Sequence, residues 1–144
     1  MLFATSCNNN SIYKESQEIP SSIWDMNNIL TFQADVENIE QNYSIDISVR
    51  HAEFYPSQNL WLFITTTAPN GGFQKDTLEC ILADENYKWK GKGLGQIWDV
   101  KIPFKKDIKF IEKGKYTFEI QHGMRIEQLP QVMEIGVEIN KLKK

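Results

Sequence analysis

The sequence predicts an all-β fold: a single antiparallel β-sandwich of immunoglobulin-like or jelly-roll-like architecture, built from about eight strands. Three observations carry that expectation. Apolar residues recur at every second position in several segments of strand length. Clusters of glycine, proline and asparagine punctuate those segments. The 3.6-residue apolar period of an amphipathic helix is absent almost throughout. With 144 residues, 41% hydrophobic and 12% aromatic, the chain has the size and apolar content of one domain with one core.

Taken in order, residues 8–27 are polar and interrupted by Pro20, and they read as an N-terminal tether joining the domain near Ile23 and Trp24. A flexible segment of that length reaches roughly 20 Å by the square-root scaling of linkers. The sandwich is then expected over residues 28–144. Leu30, Phe32, Ala34 and Val36 alternate with polar residues, and so do Tyr43, Ile45, Ile47 and Val49, each set describing a strand with one wet face. Leu60 to Ile64 is apolar on both faces, which predicts a central strand carrying Trp61, Leu62 and Phe63 into packed surroundings. Asn70-Gly71 then marks a hairpin leading into the strand Phe73 to Leu82, paired antiparallel with its predecessor. Further strands are expected at Ile97 to Ile102, Asp107 to Phe110, Lys115 to Gln121 and Val132 to Ile139. The Cys…Trp…Cys spacing of immunoglobulin domains is missing, so the architecture is predicted without that family.

Composition excludes several classes of function. The net charge is −3, and the basic residues are scattered apart from the Lys141-Leu142-Lys143-Lys144 tail, which disfavours nucleic-acid binding. No later segment approaches the ~18 apolar residues of a membrane helix, which leaves the N-terminus as the place for membrane attachment. Cys80 alternates in phase with Leu78 and Leu82 and is expected to be a buried, inert thiol, not a partner of Cys7. His51 and His122 lie in distant segments and share no metal-ligand spacing with the cysteines, so no metal is expected.

The longest connection, residues 83–96, holds Tyr87, Trp89, Gly91, Gly93 and Gly95. Closely spaced glycines can cradle a phosphate, but the P-loop pattern requires Gly-Lys-Ser/Thr opening a helix, whereas here a strand follows Gly95. Asp76, Asp84, Glu85 and Asp99 flank this loop and are expected to be solvated charges, not a glycosidase pair. Asp84-Glu85-Asn86 lacks the EF-hand spacing for calcium. No Gly-x-Ser-x-Gly elbow is present, and His122 is expected in an exposed turn. Catalytic residues and cofactors are therefore not expected. Of the four tryptophans, Trp61 and Trp98 are expected in the core, whereas Trp24 and Trp89 in connections could be exposed. Tyr87, Trp89 and the three glycines form the candidate partner-binding surface, since binding residues concentrate on loops carried by a rigid scaffold.

The first residues, Met1-Leu2-Phe3-Ala4-Thr5-Ser6-Cys7, place an apolar run and small residues before a cysteine and look like a lipobox, with residues 1–7 the remnant of a lipoprotein signal and Cys7 the lipid-bearing residue. A signal of this kind needs a basic n-region and a longer apolar stretch, so an in-frame upstream extension is expected.

Several strings together resemble the GldH gliding-motility lipoprotein family of Bacteroidota. They are Tyr55 to Phe63 continuing through Thr65 to Gly71, Asp76 to Glu79, Gly91 to Gly95 with Ile97 and Asp99, and Gly114 to Phe118 with Met124-Arg125 and Leu129-Pro130. The resemblance runs from the lipobox to the last strand and includes loop residues. It implies an exported lipoprotein of the set required for gliding and associated with type IX secretion, and only Cys7 matches a position of defined chemistry. The function expected is that of a lipid-anchored, non-enzymatic structural or interaction component of the cell envelope, facing the periplasm, whose partners are envelope proteins of that apparatus and the membrane itself. A glycan-binding module is the alternative.

Overall fold

The computed structural model describes residues 10–142. It is an all-β sandwich of two principal antiparallel sheets, closed at one end by a two-stranded ribbon. The strands are β1 (Ser11–Glu18), β2 (Ile23–Asp25), β3 (Leu30–Val36), β4 (Tyr43–Ala52), β5 (Asn59–Thr67), β6 (Phe73–Ile81), β7 (Lys92–Leu94), β8 (Ile97–Ile108), β9 (Gly114–His122), β10 (Gln128–Pro130) and β11 (Val132–Lys141). One sheet has the order β1-β11-β4-β8-β7 and the other β3-β9-β5-β6, while β10 pairs with β2. Among the described residues the only helical piece is a 3-10 turn at Pro20–Ser22, and no helix is long and apolar enough to cross a membrane.

Period-two alternation builds the core. The inward residues of β3 are Leu30, Phe32, Ala34 and Val36, and those of β4 are Tyr43, Ile45, Ile47, Val49 and His51. They share one core with Leu60, Leu62 and Ile64 of β5 and Phe118 and Ile120 of β9, in the sheet of β3, and with Ile135, Val137 and Ile139 of β11, in the sheet of β4. Cys80 is buried among them as a free thiol, and burial pushes its ionisation up to about 12. The β5–β6 hairpin forms over the expected turn, in which Ala68 N–H donates to Gly72 O at 2.7 Å and Gly71 takes the positive φ.

Several expectations are corrected. The segment 8–27, expected as a tether, contains β1, which pairs with β11 from Ser11↔Asn140 to Glu18↔Glu134, and β2, whose Trp24 is fully buried. An edge strand is hydrogen-bonded along one side only, and Lys14, Glu15 and Glu18 keep its free side polar, which is why no apolar alternation marks it. The two strands expected at Ile97 to Ile102 and Asp107 to Phe110 are one strand, β8, which carries Pro103 through because its register against β4 shifts between Ile45 and Asp46. The described residues form eleven strands where about eight were expected, since β1, β2, β7 and β10 are added and two expected strands merge in β8.

Strand β5 is central in its sheet, between β9 and β6, but only Leu60, Leu62 and Ile64 enter the core. Trp61 and Phe63, expected in packed surroundings, lie on the uncovered outer face with 37% and 46% exposure. His122, expected in an exposed turn, ends β9 inside the core, 5.3 Å from Trp24 ring to ring.

The register gives the sandwich two poles. Ser11, Asn140, Tyr43 and Ile108 lie at one end of the larger sheet, where the N-terminal segment enters. Glu18, Ala52, Ile97 and Val132 lie at the other. Ten residues of β4 span the two, a separation of about 30 Å at the rise of a β-strand.

Candidate functional site

The loop 83–96 lies at the pole remote from the N-terminal segment and is folded by its own side chains. Asp84 Oδ1 accepts the backbone N–H groups of Asn86 (2.8 Å) and Lys88 (3.0 Å), and these bonds hold its carboxyl below the usual range. Ala83 and Trp89 close the turn as a β-bridge, and Tyr87 sits at its tip with φ +62°. The glycines that follow are structural. A Cβ on Gly91 would stand 2.0 Å from Asp99 O, and one on Gly93 would stand 2.7 Å from the Trp98 ring. Gly95 takes φ +64° at the first position of the two-residue turn joining Leu94 to Ile97. The glycine-rich run is therefore an edge hairpin, β7–β8.

Trp89 is half-buried. Its ring stands 4.5 Å from His51 and 6.4 Å from Tyr55, and its indole N–H donates to Glu53 O at 3.2 Å. Glu53 joins three segments, because its N–H also donates to Gln96 O at 2.7 Å and its carboxylate accepts the Trp98 indole N–H at 2.8 Å. Glu53 carries no motif in the sequence that would single it out. The side chains left outside this network are Phe54, Tyr87 and Leu94, with 73%, 77% and 85% exposure. Of the expected partner-binding residues, the structure leaves Tyr87 free to make contact, while Trp89, Gly91, Gly93 and Gly95 shape the loops around it. Cys7 lies outside the described residues.

The acidic residues are committed elsewhere. Asp99 receives Arg50 Nε at 2.8 Å and Nη2 at 3.2 Å, and Asp76 pairs with Lys105 at 3.5 Å. Asp84 and Asp99 therefore serve a turn and a cross-strand ion pair. Among the described residues no cluster of three or more potential ligands could hold a metal ion.

A second surface lies on the outer face of β5. Trp61 and Phe63, two residues apart, flank a shallow depression of about 530 Å³ with Asn59, Met124 and Arg125. Phe63 packs over Gly123, where a Cβ would meet the ring at 2.7 Å, and Met124 Sδ accepts the Trp61 backbone N–H at 3.3 Å.

Fold and surface together define a class: a single-domain antiparallel β-sandwich that ties its polar groups into its own turns and leaves aromatic and aliphatic side chains outside. The chain belongs to the GldH lipoprotein family, whose model matches residues 11–139. It is 29% identical to the gliding motility lipoprotein GldH homolog of Christiangramia forsetii, over 98% of this chain and 90% of that protein. It is 28% identical to the gliding motility lipoprotein GldH of Flavobacterium johnsoniae, over 94% of this chain and 88% of that protein. Membership of a lipoprotein family implies attachment to a membrane of the cell envelope. Among solved structures, a family GH115 4-O-methyl-alpha-glucuronidase with specificity for decorated arabinogalactans superposes with a TM-score of 0.50 and 11% identity. The match covers 99% of this chain but only 19% of that enzyme, so the likeness is to a part of it and is a likeness of fold alone.

Proposed function

We propose that this chain is a non-catalytic, lipid-anchored interaction component of the envelope, attached through Cys7 and facing the periplasm. It presents the pole remote from its anchor to proteins of the gliding or type IX secretion apparatus. The observation that carries this is the set of three large exposed side chains, Phe54, Tyr87 and Leu94, on loops tied together through Glu53. Single exposed apolar residues are ordinary, but three on adjoining loops of a rigid scaffold form the kind of anchor on which interfaces are built. Family membership supports the anchor, and the names of the relatives support a part in gliding motility.

The test is affinity purification of the full-length lipoprotein from envelopes, with and without Tyr87→Ala and Leu94→Ser. Motility or secretion proteins recovered with the parent and lost with the variants would support the proposal. Equal recovery with all forms would remove the remote pole from the interaction.

A second reading, glycan binding, is favoured by the paired aromatics Trp61 and Phe63 beside Asn59 and Arg125. Aromatic faces with flanking polar groups suit sugar rings. Trp61→Ala should then abolish retention on an immobilised envelope glycan while leaving protein partners in place.

A further inference from the structure

We infer that the pole opposite the proposed partner surface rests on the membrane, inserting Phe73 and Ile111 among lipids whose anionic headgroups pair with Lys109, Lys113 and Lys141. This inference rests on attachment through Cys7 and adds which face of the domain meets the bilayer.

Its first support is where the chain enters. Lys141 N–H donates to Asn10 O at 2.7 Å, and β1 opens at Ser11, four positions along the chain from Cys7. Four extended residues span at most about 14 Å. A short leash of this kind confines the entering pole to the membrane surface, and a long stand-off is impossible.

The side chains at that pole are the second support. The turn 109–113 follows β8, and Asn70 N–H of the β5–β6 hairpin donates to Glu112 Oε2 at 3.1 Å, which joins two loops from different sheets. Phe110 is buried between Tyr43 (5.3 Å) and Tyr116 (4.7 Å), while Tyr116 Oη donates to Glu112 O at 2.8 Å. With both neighbours fixed, Ile111 is held outward at 75% exposure, and Phe73 stands at 66%. Both line one open depression of about 440 Å³ together with Phe104 and Ile108.

Charge completes the case. The molecule as a whole is negative, so an anionic surface would repel it without local compensation. Lys109, Lys113 and Lys141 have no carboxylate partner within ion-pair distance among the described residues. Of the acids at this pole, Asp76 pairs with Lys105, and Glu112 and Asp107 accept from Asn70 N–H and the Asn42 amide, while Glu37 and Glu40 of the β3–β4 connection are exposed. Apolar side chains that reach the headgroup boundary, ringed by lysines, are the features of an interfacial membrane contact.

The experiment uses the full-length lipidated protein in phosphatidylglycerol-containing vesicles that carry a lipid-borne nitroxide quencher. A bimane label is placed at Ile111→Cys or, as the remote control, at Tyr87→Cys. Cys80 is buried with its thiol pushed up to about 12 and stays unlabelled. The expected result is quenching at position 111 and none at 87, with Lys109→Glu/Lys113→Glu reducing the quenching. In the unanchored Cys7→Ser chain, neutralising the same two lysines (Lys109→Gln/Lys113→Gln) should lower partitioning onto these vesicles by about thirtyfold, at roughly one headgroup contact per lysine. Protein that floats with the vesicles but shows no quenching at 111 would overturn the orientation alone and hand this pole to a protein partner. Protein that fails to float would overturn the anchor and the orientation with it.

Discussion

The indole of Trp89 stands edge-on to the imidazole of His51, ring centroids 4.5 Å apart, and donates its N–H to Glu53 O. Trp89 thus clamps the loop 83–96 onto the end of β4. Trp89→Ala is expected to cost about 2–4 kcal/mol, somewhat below the value for a fully buried aromatic. Urea denaturation checks this, and a loss under about 1 kcal/mol would show that the clamp contributes little.

Burial holds the His51 imidazole below its ordinary range, so the folded protein keeps it neutral. Its Nδ1 lies 3.0 Å from Ala52 O, while Nε2 is buried without a partner. The unfolded chain takes up the proton more readily, so the contribution of His51 to stability is complete above about pH 6.5 and declines as pH falls below it. Denaturation midpoints at about pH 7.5 and about pH 5.5 should differ more in the parent than in His51→Phe. Equal differences would remove His51 as the source.

Alternation along β5 separates two neighbouring side chains by consequence. Leu62→Ala should cost about 2–5 kcal/mol, the range for a large side chain truncated in a packed core. Phe63→Ala, on the outer face, should cost about 1 kcal/mol or less. Chemical denaturation of the pair is the check, and comparable losses would mean that the outer face is covered.

Gly91 and Gly95 both have positive φ, but only Gly91 is crowded. Gly95→Ala should cost about 1 kcal/mol from backbone strain alone. Gly91→Ala should cost more, because its Cβ would displace β7 from Asp99 O, and amide exchange in β7 should accelerate with it. Equal effects would show that the close approach carries no energetic weight.

Much of this fold was legible because β3, β4 and β9 each bury one face, and a period of two reports that directly. Three features left no such trace. Strand β1 is a polar edge, and β7 is short and rich in glycine. In β5 both faces are apolar, and composition cannot separate the face turned to the five-stranded sheet from the one left open, so Trp61 and Phe63 read as core. Trp24 and His122 read as surface residues because they enter the core from the β2–β10 ribbon and the very end of β9, where no alternation extends. For the candidate site, the loop and Tyr87 were legible from length and composition. The role of Glu53 was not, because it arises from three tertiary hydrogen bonds.

The most direct measurement is site-specific photo-crosslinking in intact envelopes, with a photoreactive residue at position 87 of the full-length lipoprotein and a control at Gln33 on the outward face of β3. A discrete adduct with another envelope protein at 87 and none at 33 is expected. No adduct at 87 in a protein that is folded and membrane-attached would contradict the proposal that the remote pole is where this lipoprotein meets its partners.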